Sequence, residues 1–324
     1  MADILAGYVS GTTVDLARVT IARGKAKLHD QRGYVATDFS DLESVLKQYL
    51  KLTRATISVA CFGVAGPVIN DEVKTTNLPW HISSRKVEAT FGFDQVRLTN
   101  DIVATAHGLS QLGPDKHFTI NKGTGVEGGN QGLIAAGAGL GEALIYSDGD
   151  RVIPYASEGG HTDFAPGCQL ETELWEYLYS ELGQVEVEDV VSLSGLERIY
   201  KFLVDTQGGI RSEWFRESQD RPMAVIEHAL AGSDETAARA LDVFIDCYAS
   251  EAANLALKGM TLGGVYIGGL IAPQIITAIN PARFMARFAK RGKMETMLAA
   301  MPVGVIIEEK TALLGAASMA LGIR

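Results

Sequence analysis

Cysteine is scarce in this chain. Cys61, Cys168 and Cys247 are odd in number, widely separated and without a ligand-spaced neighbour, so neither a disulfide framework nor a metal cluster is expected. A reduced, cytoplasmic setting fits them best. Positive charge is in deficit: 29 Lys and Arg stand against 39 Asp and Glu. The formal charge of −10 argues against non-specific nucleic-acid binding and against an anionic membrane surface. No stretch approaches the roughly 18 uncharged apolar residues of a membrane-spanning helix. The opening Met1-Ala2-Asp3-Ile4-Leu5 has neither the basic start nor the apolar run of a signal peptide. No segment is of low complexity. What is present is an ordinary globular composition, 47% hydrophobic and 21% charged, over 324 residues, which is long for one core and favours two lobes.

The stretch Leu98-Thr99-Asn100-Asp101 organises the rest. Residues 96–98 read as the end of a buried strand, and a helix opens near Ile102. In open α/β sheets ligands collect beyond the carboxyl ends of strands, where an Asp can take a proton from a hydroxyl. The same Asn-Asp pair is also a good helix cap, and the residues alone leave both readings open.

Earlier in the chain, residues 4–6 lead into a bend at Gly7, Ser10 and Gly11, and residues 16–21 return as a strand. Ser40-Asp41-Leu42-Glu43 is spaced as a capping box for a helix carrying Leu42, Val45, Leu46, Tyr49 and Leu50 on one face. Ile57–Val64 reads as a buried strand, and Asn77-Leu78-Pro79-Trp80 as a loop. Beyond Gly113 the texture changes to a polar, glycine-rich connection over 121–130. Residues 133–136 then form a strand, Gly137-Ala138-Gly139-Leu140-Gly141 a turn, and 142–146 a return strand. This repeats the opening hairpin and suggests two related sub-domains facing one another.

Glu158-Gly159-Gly160-His161 is a second glycine hinge with polar side chains. Leu170, Leu174, Leu178 and Leu182 fall on one helical face, and an Ala-rich helix is expected over 235–258. Residues 262–269 form a strand into glycines. The tail reads as a strand over 303–307 and a small-residue helix, Thr311–Leu321, packing back on the first lobe.

Three glycine turns, around 7–13, 137–141 and 268–269, each follow a strand. Successive backbone N–H groups in such turns make a nest for anions, which points to nucleotide phosphates. None matches a P-loop or a Rossmann fingerprint. Asn100, Asp101, Glu158, His161 and Glu188 form a set suited to bidentate recognition of sugar hydroxyls. His161 has no second ligand at metal spacing, so no protein metal site is expected.

The ordered succession of the glycine-rich hairpin, Asn77-Leu78-Pro79-Trp80, Asn100-Asp101, the 137–141 turn, Glu158-Gly159-Gly160-His161-Thr162-Asp163-Phe164-Ala165-Pro166 and Gly263-Gly264-Val265-Tyr266-Ile267-Gly268-Gly269 resembles the bacterial glucokinases of the branch without zinc. The resemblance runs over essentially the whole chain, to Ala312-Leu313-Leu314-Gly315-Ala316. It implies a two-lobed α/β actin-like ATPase (ribonuclease H-like) sugar-kinase fold with a ligand cleft between the lobes. It further implies a small lobe of residues 1–110 plus 302–324 and a large lobe of 111–301. It implies transfer of phosphate from ATP, with Mg²⁺, to the 6-hydroxyl of glucose. Asp101 would be the general base, and Asn100, Glu158, His161 and Glu188 the contacts to other hydroxyls. Gly7, Gly11, Thr12, Thr13, Gly137, Ala138, Gly139, Gly268 and Gly269 would line the nucleotide. A place in glycolysis and a homodimer are further implications.

The sugar set is intact; the nucleotide set departs from the family pattern. The family begins Gly-Asp-x-Gly-Gly-Thr-Asn, whereas this chain has Tyr8 for the carboxylate, and Ser10 and Thr13 for Gly and Asn. Ala138 replaces a Thr, and Gly268-Gly269-Leu270 replaces three glycines. A phenol, with a pKa of about 10, is no substitute for a carboxylate near Mg²⁺. Lost donors at roughly 3 kcal/mol each would weaken the transition state by several kcal/mol. Two readings follow: a glucokinase with an altered metal shell, and a glucose-binding pseudokinase that senses or regulates. A changed phosphoryl donor ranks last, as no basic cluster suits polyphosphate.

Overall fold

The computed structural model describes residues 3–22, 25–75, 78–148 and 152–322. The chain divides into two compact units, Met1–Lys116 with Glu308–Arg324, and His117–Ile307.

In the first unit β1 (Asp3–Val9), β2 (Thr13–Ala22) and β3 (Lys25–Val35) form an antiparallel meander. Helix α1 (Leu42–Thr53) leads to β4 (Ile57–Val64). The short strands β5 (Val68–Ile69), β6 (Glu72–Lys74) and β7 (His81–Ser83) then make a small separate sheet. Helix α2 (Ser84–Phe91), β8 (Gln95–Asn100) and α3 (Asp101–Leu109) complete the run. The main sheet has the order β3-β2-β1-β4-β8, with β4 parallel to both β1 and β8.

The second unit begins with β9 (His117–Asn121), β10 (Gln131–Ala136), β11 (Leu140–Ser147) and β12 (Val152–Ser157). Helices α4 (Gln169–Leu182), α5 (Leu193–Thr206), α6 (Glu213–Glu217), α7 (Arg221–Leu230) and α8 (Glu235–Gly259) follow. After them come β13 (Gly264–Gly268), α9 (Pro281–Ala289), α10 (Glu295–Ala299) and β14 (Val303–Ile306). Its sheet has the order β12-β11-β10-β13-β14-β9. Both sheets therefore share one plan, three antiparallel strands and then two added in parallel, as the repeated hairpin suggested. The final helix α11 (Thr311–Leu321) belongs to the first unit.

Alternation along β1 and β4 places apolar side chains on both faces. Leu5, Val9, Phe62 and Val64 pack with Leu42, Val45, Leu46 and Tyr49 of α1, while Ile4, Ala6, Val59 and Cys61 pack with Leu313, Ala316, Ala317 and Ala320 of α11. The small residues of α11 have a structural cause. A Cβ at Gly315 would lie 1.7 Å from the Ala104 carbonyl oxygen, so α3 and α11 touch backbone to backbone. In the second unit the alanines of α8 are buried in the main core, which explains their number.

Four sequence expectations shift. Gly7 and Tyr8 lie inside β1 rather than in the bend, which is confined to the residues between β1 and β2. The α1 cap is Asp41, whose Oδ1 accepts the Ser44 N–H at 2.8 Å, while Glu43 pairs with Lys86 instead of closing a box on Ser40. The 303–307 segment belongs to the second unit rather than the first, because β14 is hydrogen-bonded between β13 and β9 of the second sheet. On α4, Leu174 and Leu178 are buried but Leu182 is exposed at the end of the helix. Asn77 lies outside the described residues.

Candidate functional site

In the first unit the candidate side chains gather at the carboxyl ends of β1, β4 and β8. Asn100 ends β8 as the cap of α3: its Oδ1 accepts the Ile102 N–H at 3.0 Å, and its Nδ2 donates to the Gly66 carbonyl at 3.2 Å. The capping alternative thus holds for Asn100, whose amide also ties β8 to the turn after β4. Asp101 opens the first turn of α3, with Oδ1 2.9 Å from the Ile102 N–H and its carbonyl accepting the Thr105 hydroxyl. Both side chains thus converge on the Ile102 N–H at the start of α3, Asn100 alone also reaching Gly66, and Asp101 is half-buried.

Gly63 on β4 lies beside both Asp101 and Tyr8. A Cβ there would be 3.9 Å from the Asp101 Cα and 3.8 Å from Tyr8 Cδ2. Tyr8 packs against the cluster under α11, and Asp15 of β2 is its register partner. Burial raises the Tyr8 phenol far above its ordinary value, and the negative charges of Asp101 and Asp15 raise it further. The phenol is neutral at physiological pH and offers no anionic oxygen to a cation. Burial also raises the Asp15 carboxyl, against the opposing pull of the Lys310 ammonium.

The bend between β1 and β2 closes on itself. Ser10 Oγ accepts the N–H groups of Thr12 at 3.2 Å and Thr13 at 2.9 Å, and lies 3.0 Å from Thr13 Oγ1. These are the N–H groups that a glycine at position 10 would leave available to a phosphate. Thr12 and Thr13 remain exposed.

In the second unit the two glycine turns are neighbours, at the carboxyl ends of the parallel strands β10 and β13. Gly137 lies beside Leu270, which follows Gly268-Gly269, and the Ile271 N–H reaches the Ala136 carbonyl at 3.2 Å. Beneath them sits the buried Tyr248 of α8. Its hydroxyl accepts the Ala136 N–H at 3.0 Å and lies 3.2 and 3.1 Å from the Ile134 and Gly268 carbonyls, so one phenol pins both strand ends. Ala138 and Leu270 are exposed at the rim.

Glu188 lies in a turn, not on a helix, and joins two motifs that the sequence keeps apart. Its Oε2 accepts the Leu140 N–H at 2.7 Å, and its own N–H donates to the Gly160 carbonyl at 2.8 Å. The 137–141 turn and the Glu158-Gly159-Gly160-His161 turn are thereby brought together. Glu158 and His161 are exposed. His161 Nδ1 lies 2.7 Å from Glu186 Oε2; that bond is the main cause of its raised pKa, and the charges of Glu188, Glu186 and Glu158 add to it.

Among the described residues no cluster of three or more His, Cys, Asp or Glu is arranged to hold a metal. Mg²⁺ at phosphates needs only one or two carboxylates, with water and the nucleotide completing its shell. Asp15 and Asp101, the carboxylates acting on Tyr8, fit a Mg²⁺ that arrives with a nucleotide. Sequence reasoning missed Asp15, Glu186, Tyr248 and Glu142. Only Asp15 left a signal, since register across a tight hairpin puts it opposite position 8.

A family model described as Glucokinase matches residues 5–322. A glucokinase from a Nostoc species is 35% identical over 339 aligned residues, covering 98% of each chain. One from Saccharophagus degradans is 34% identical and covers 96% of this chain and 95% of its own. Among solved structures, glucokinase from an Antarctic psychrotroph superposes with a TM-score of 0.87 at 28% identity, over 99% of both chains. Balamuthia mandrillaris glucokinase in complex with glucose gives a TM-score of 0.81 over 98% of this chain and 93% of that one; at 20% identity it speaks to the fold alone.

Proposed function

The chain belongs to the glucokinase family, and we propose that it transfers the terminal phosphoryl group of ATP to the 6-hydroxyl of glucose, with Asp101 as the general base. Its fold is the two-lobed actin-like ATPase fold of sugar kinases. The observation that supports the reading is the position of Asp101 at the end of β8. Asn100 anchors the strand end to Gly66 and caps α3, and Asp101, one of whose carboxylate oxygens also meets the Ile102 N–H, is held by a fixed backbone at the carboxyl edge of a parallel sheet. A base so placed takes the hydroxyl proton as the oxygen attacks phosphorus.

In this reading Asn100, Glu158, His161 and Glu188 contact the remaining hydroxyls. Glu188 contributes through one carboxylate oxygen while the other holds Leu140. The glycine turns at 7–13, 137–141 and 268–269 receive the nucleotide. Asp15 and Asp101 are the carboxylates that would hold a Mg²⁺ arriving with the phosphates, where it would supply neutralisation of charge on the transferred group. Glucose and ATP are the proposed ligands. The proposed setting is the cytoplasm, and three free thiols suit it. No helix among the described residues is long and apolar enough to cross a membrane. A homodimer is proposed from the family resemblance.

One observation favours a second reading, a glucose-binding protein of low turnover. Ser10 occupies the N–H groups of Thr12 and Thr13, and Tyr8 is neutral where the family has a carboxylate. Glucose-dependent ADP release at millimolar Mg-ATP separates the two, with Asp101→Ala as control. Turnover that vanishes in the control establishes the enzyme. Glucose binding without turnover above the control establishes the second reading.

A further inference from the structure

The turn that carries Glu158 and His161 rests on a buried acid pair. A Cβ at Gly159 would lie 1.8 Å from Glu142 Oε2, and one at Gly160 would lie 2.4 Å from the Leu140 carbonyl oxygen. The two glycines are what allow the turn to sit this close on β11. Glu142 is paired in register with Ser157, the residue just before Glu158. From β11 its side chain faces Glu251 of α8 closely enough for each carboxyl group to act on the other, and each has a buried Oε1 with no hydrogen-bond partner. Glu142 is 1% exposed and Glu251 5%.

Two adjacent carboxyl groups this deeply buried cannot both ionise, so one keeps a proton that it can offer to the other. The surroundings decide where it resides. Oε1 of each glutamate meets no N–H or O–H donor within hydrogen-bond distance among the described residues, so the asymmetry lies in the remaining contacts. Glu251 receives the Asn254 amide at 2.9 Å on Oε2 and has the Lys258 ammonium 3.6 Å from Oε1. Charge is therefore tolerated on Glu251, and Glu142 carries the proton. The other groups facing the pair are Ser157 from β12, Tyr248 from α8, and Arg291, whose guanidinium bonds Ser250 and reaches toward Asn254.

We propose that the Glu142–Glu251 pair, sharing one proton, is the platform for the Gly159-Gly160 turn, and that Glu142 is a positioning residue for sugar binding by Glu158 and His161. This rests on the sugar-site reading above. Glu142 touches no substrate; it acts through the backbone it supports. Burial, and then the neighbouring Glu251, push the Glu142 carboxyl up to about 8. An acid raised in the folded state contributes stability that is complete below the ordinary carboxylate range and is lost as pH rises through the raised value. Ionisation there places two negative charges side by side beneath the turn, so glucose affinity should fall in the alkaline range.

Calorimetric titration of the full chain with glucose across that range, for wild type, Glu142→Gln and Glu142→Leu, tests this. Glutamine keeps the shape, is neutral at every pH and can still donate to Glu251. It should retain the neutral-pH Kd and lose the alkaline weakening that Glu142 causes, leaving only the limb due to His161. Leucine cannot donate and leaves Glu251 without its partner, so Kd should rise about tenfold at neutral pH, the value of one lost interaction near 1.4 kcal/mol. An alkaline limb unchanged in Glu142→Gln would overturn the proposal, as would wild-type affinity in a folded Glu142→Leu. Infrared difference spectra supply a readout independent of sugar: a protonated-carboxyl stretch at neutral pH, present in wild type and absent from Glu142→Gln. Its absence from wild type overturns the shared proton. A wild type with that band but no glucose binding at any pH defeats the sugar-site reading and, with it, the positioning role, while leaving the pair's proton established.

Discussion

Tyr8 and Asp15 are directly opposed on β1 and β2, and the Tyr8 phenol is held un-ionised first by its burial, then by the negative charges of Asp101 and Asp15. Directly opposed residues in an antiparallel pair share a face, so the carboxylate absent from position 8 has a neighbour of the same charge one strand away. Asp15→Asn should lower kcat/KM for Mg-ATP by about tenfold to a hundredfold, up to the worth of one well-placed group near 3 kcal/mol, while glucose binding is unchanged. Steady-state kinetics with varied Mg-ATP, beside glucose titration, checks both halves. Equal loss for both ligands would point to a folding defect instead.

Ser10 is the second test of the nucleotide side. Its hydroxyl already binds the N–H groups of Thr12 and Thr13. Ser10→Gly releases both to a phosphate, so the KM for Mg-ATP should fall several-fold, while unfolding free energy drops by roughly 0.5–1 kcal/mol from added backbone freedom. Nucleotide kinetics and a urea melt read the two effects separately.

Asn100 and Asp101 should part company on mutation. Asn100→Ala removes the α3 cap and the tie to Gly66, which predicts a stability loss of about 1–2 kcal/mol as a lower urea midpoint at constant slope. Asp101→Ala should abolish turnover with a much smaller shift, since Asn100 still caps the helix. A large stability loss in Asp101→Ala with residual turnover would count against its role as the base.

His161 titrates under the influence of Glu186. The pair raises the imidazole pKa, so its stabilising contribution is complete below the unfolded value near 6.5 and disappears as pH rises through the raised one. Glu186→Gln should bring the His161 titration, followed by histidine NMR shifts, back toward 6.5. A midpoint unmoved by that change would mean that the hydrogen bond is not what holds the proton.

Much of the architecture was legible because it depends on local pattern. The buried run Ile57–Val64, the alanines of α8 and the paired hairpins are period and turn signals that survive folding. The set proposed for sugar binding could be nominated only as residue types, and the glycine turns were legible as strand-ending clusters. The role of Glu188 was not. Read in sequence it is a solvated charge, and only the return of its loop puts it on the Leu140 N–H, 48 residues away in the chain.

The sequence by itself determined that two similar α/β units make up the chain and nominated the residues proposed to carry chemistry, because hydrophobic period and glycine placement are properties of neighbours. Tertiary structure decided which of those residues support others. Gly7 became a strand residue because Leu16 of β2 and Phe62 of β4 pair with it on either side, with the Phe62 ring filling the space of a side chain there, and β14 joined the second sheet because β13 and β9 offered it partners on both sides. Glu142 and Glu251, unremarkable in sequence, became one acid pair only when β11 and α8 packed together. Burial and long-range contact set the state of a titratable group, and neither is written in its neighbours along the chain.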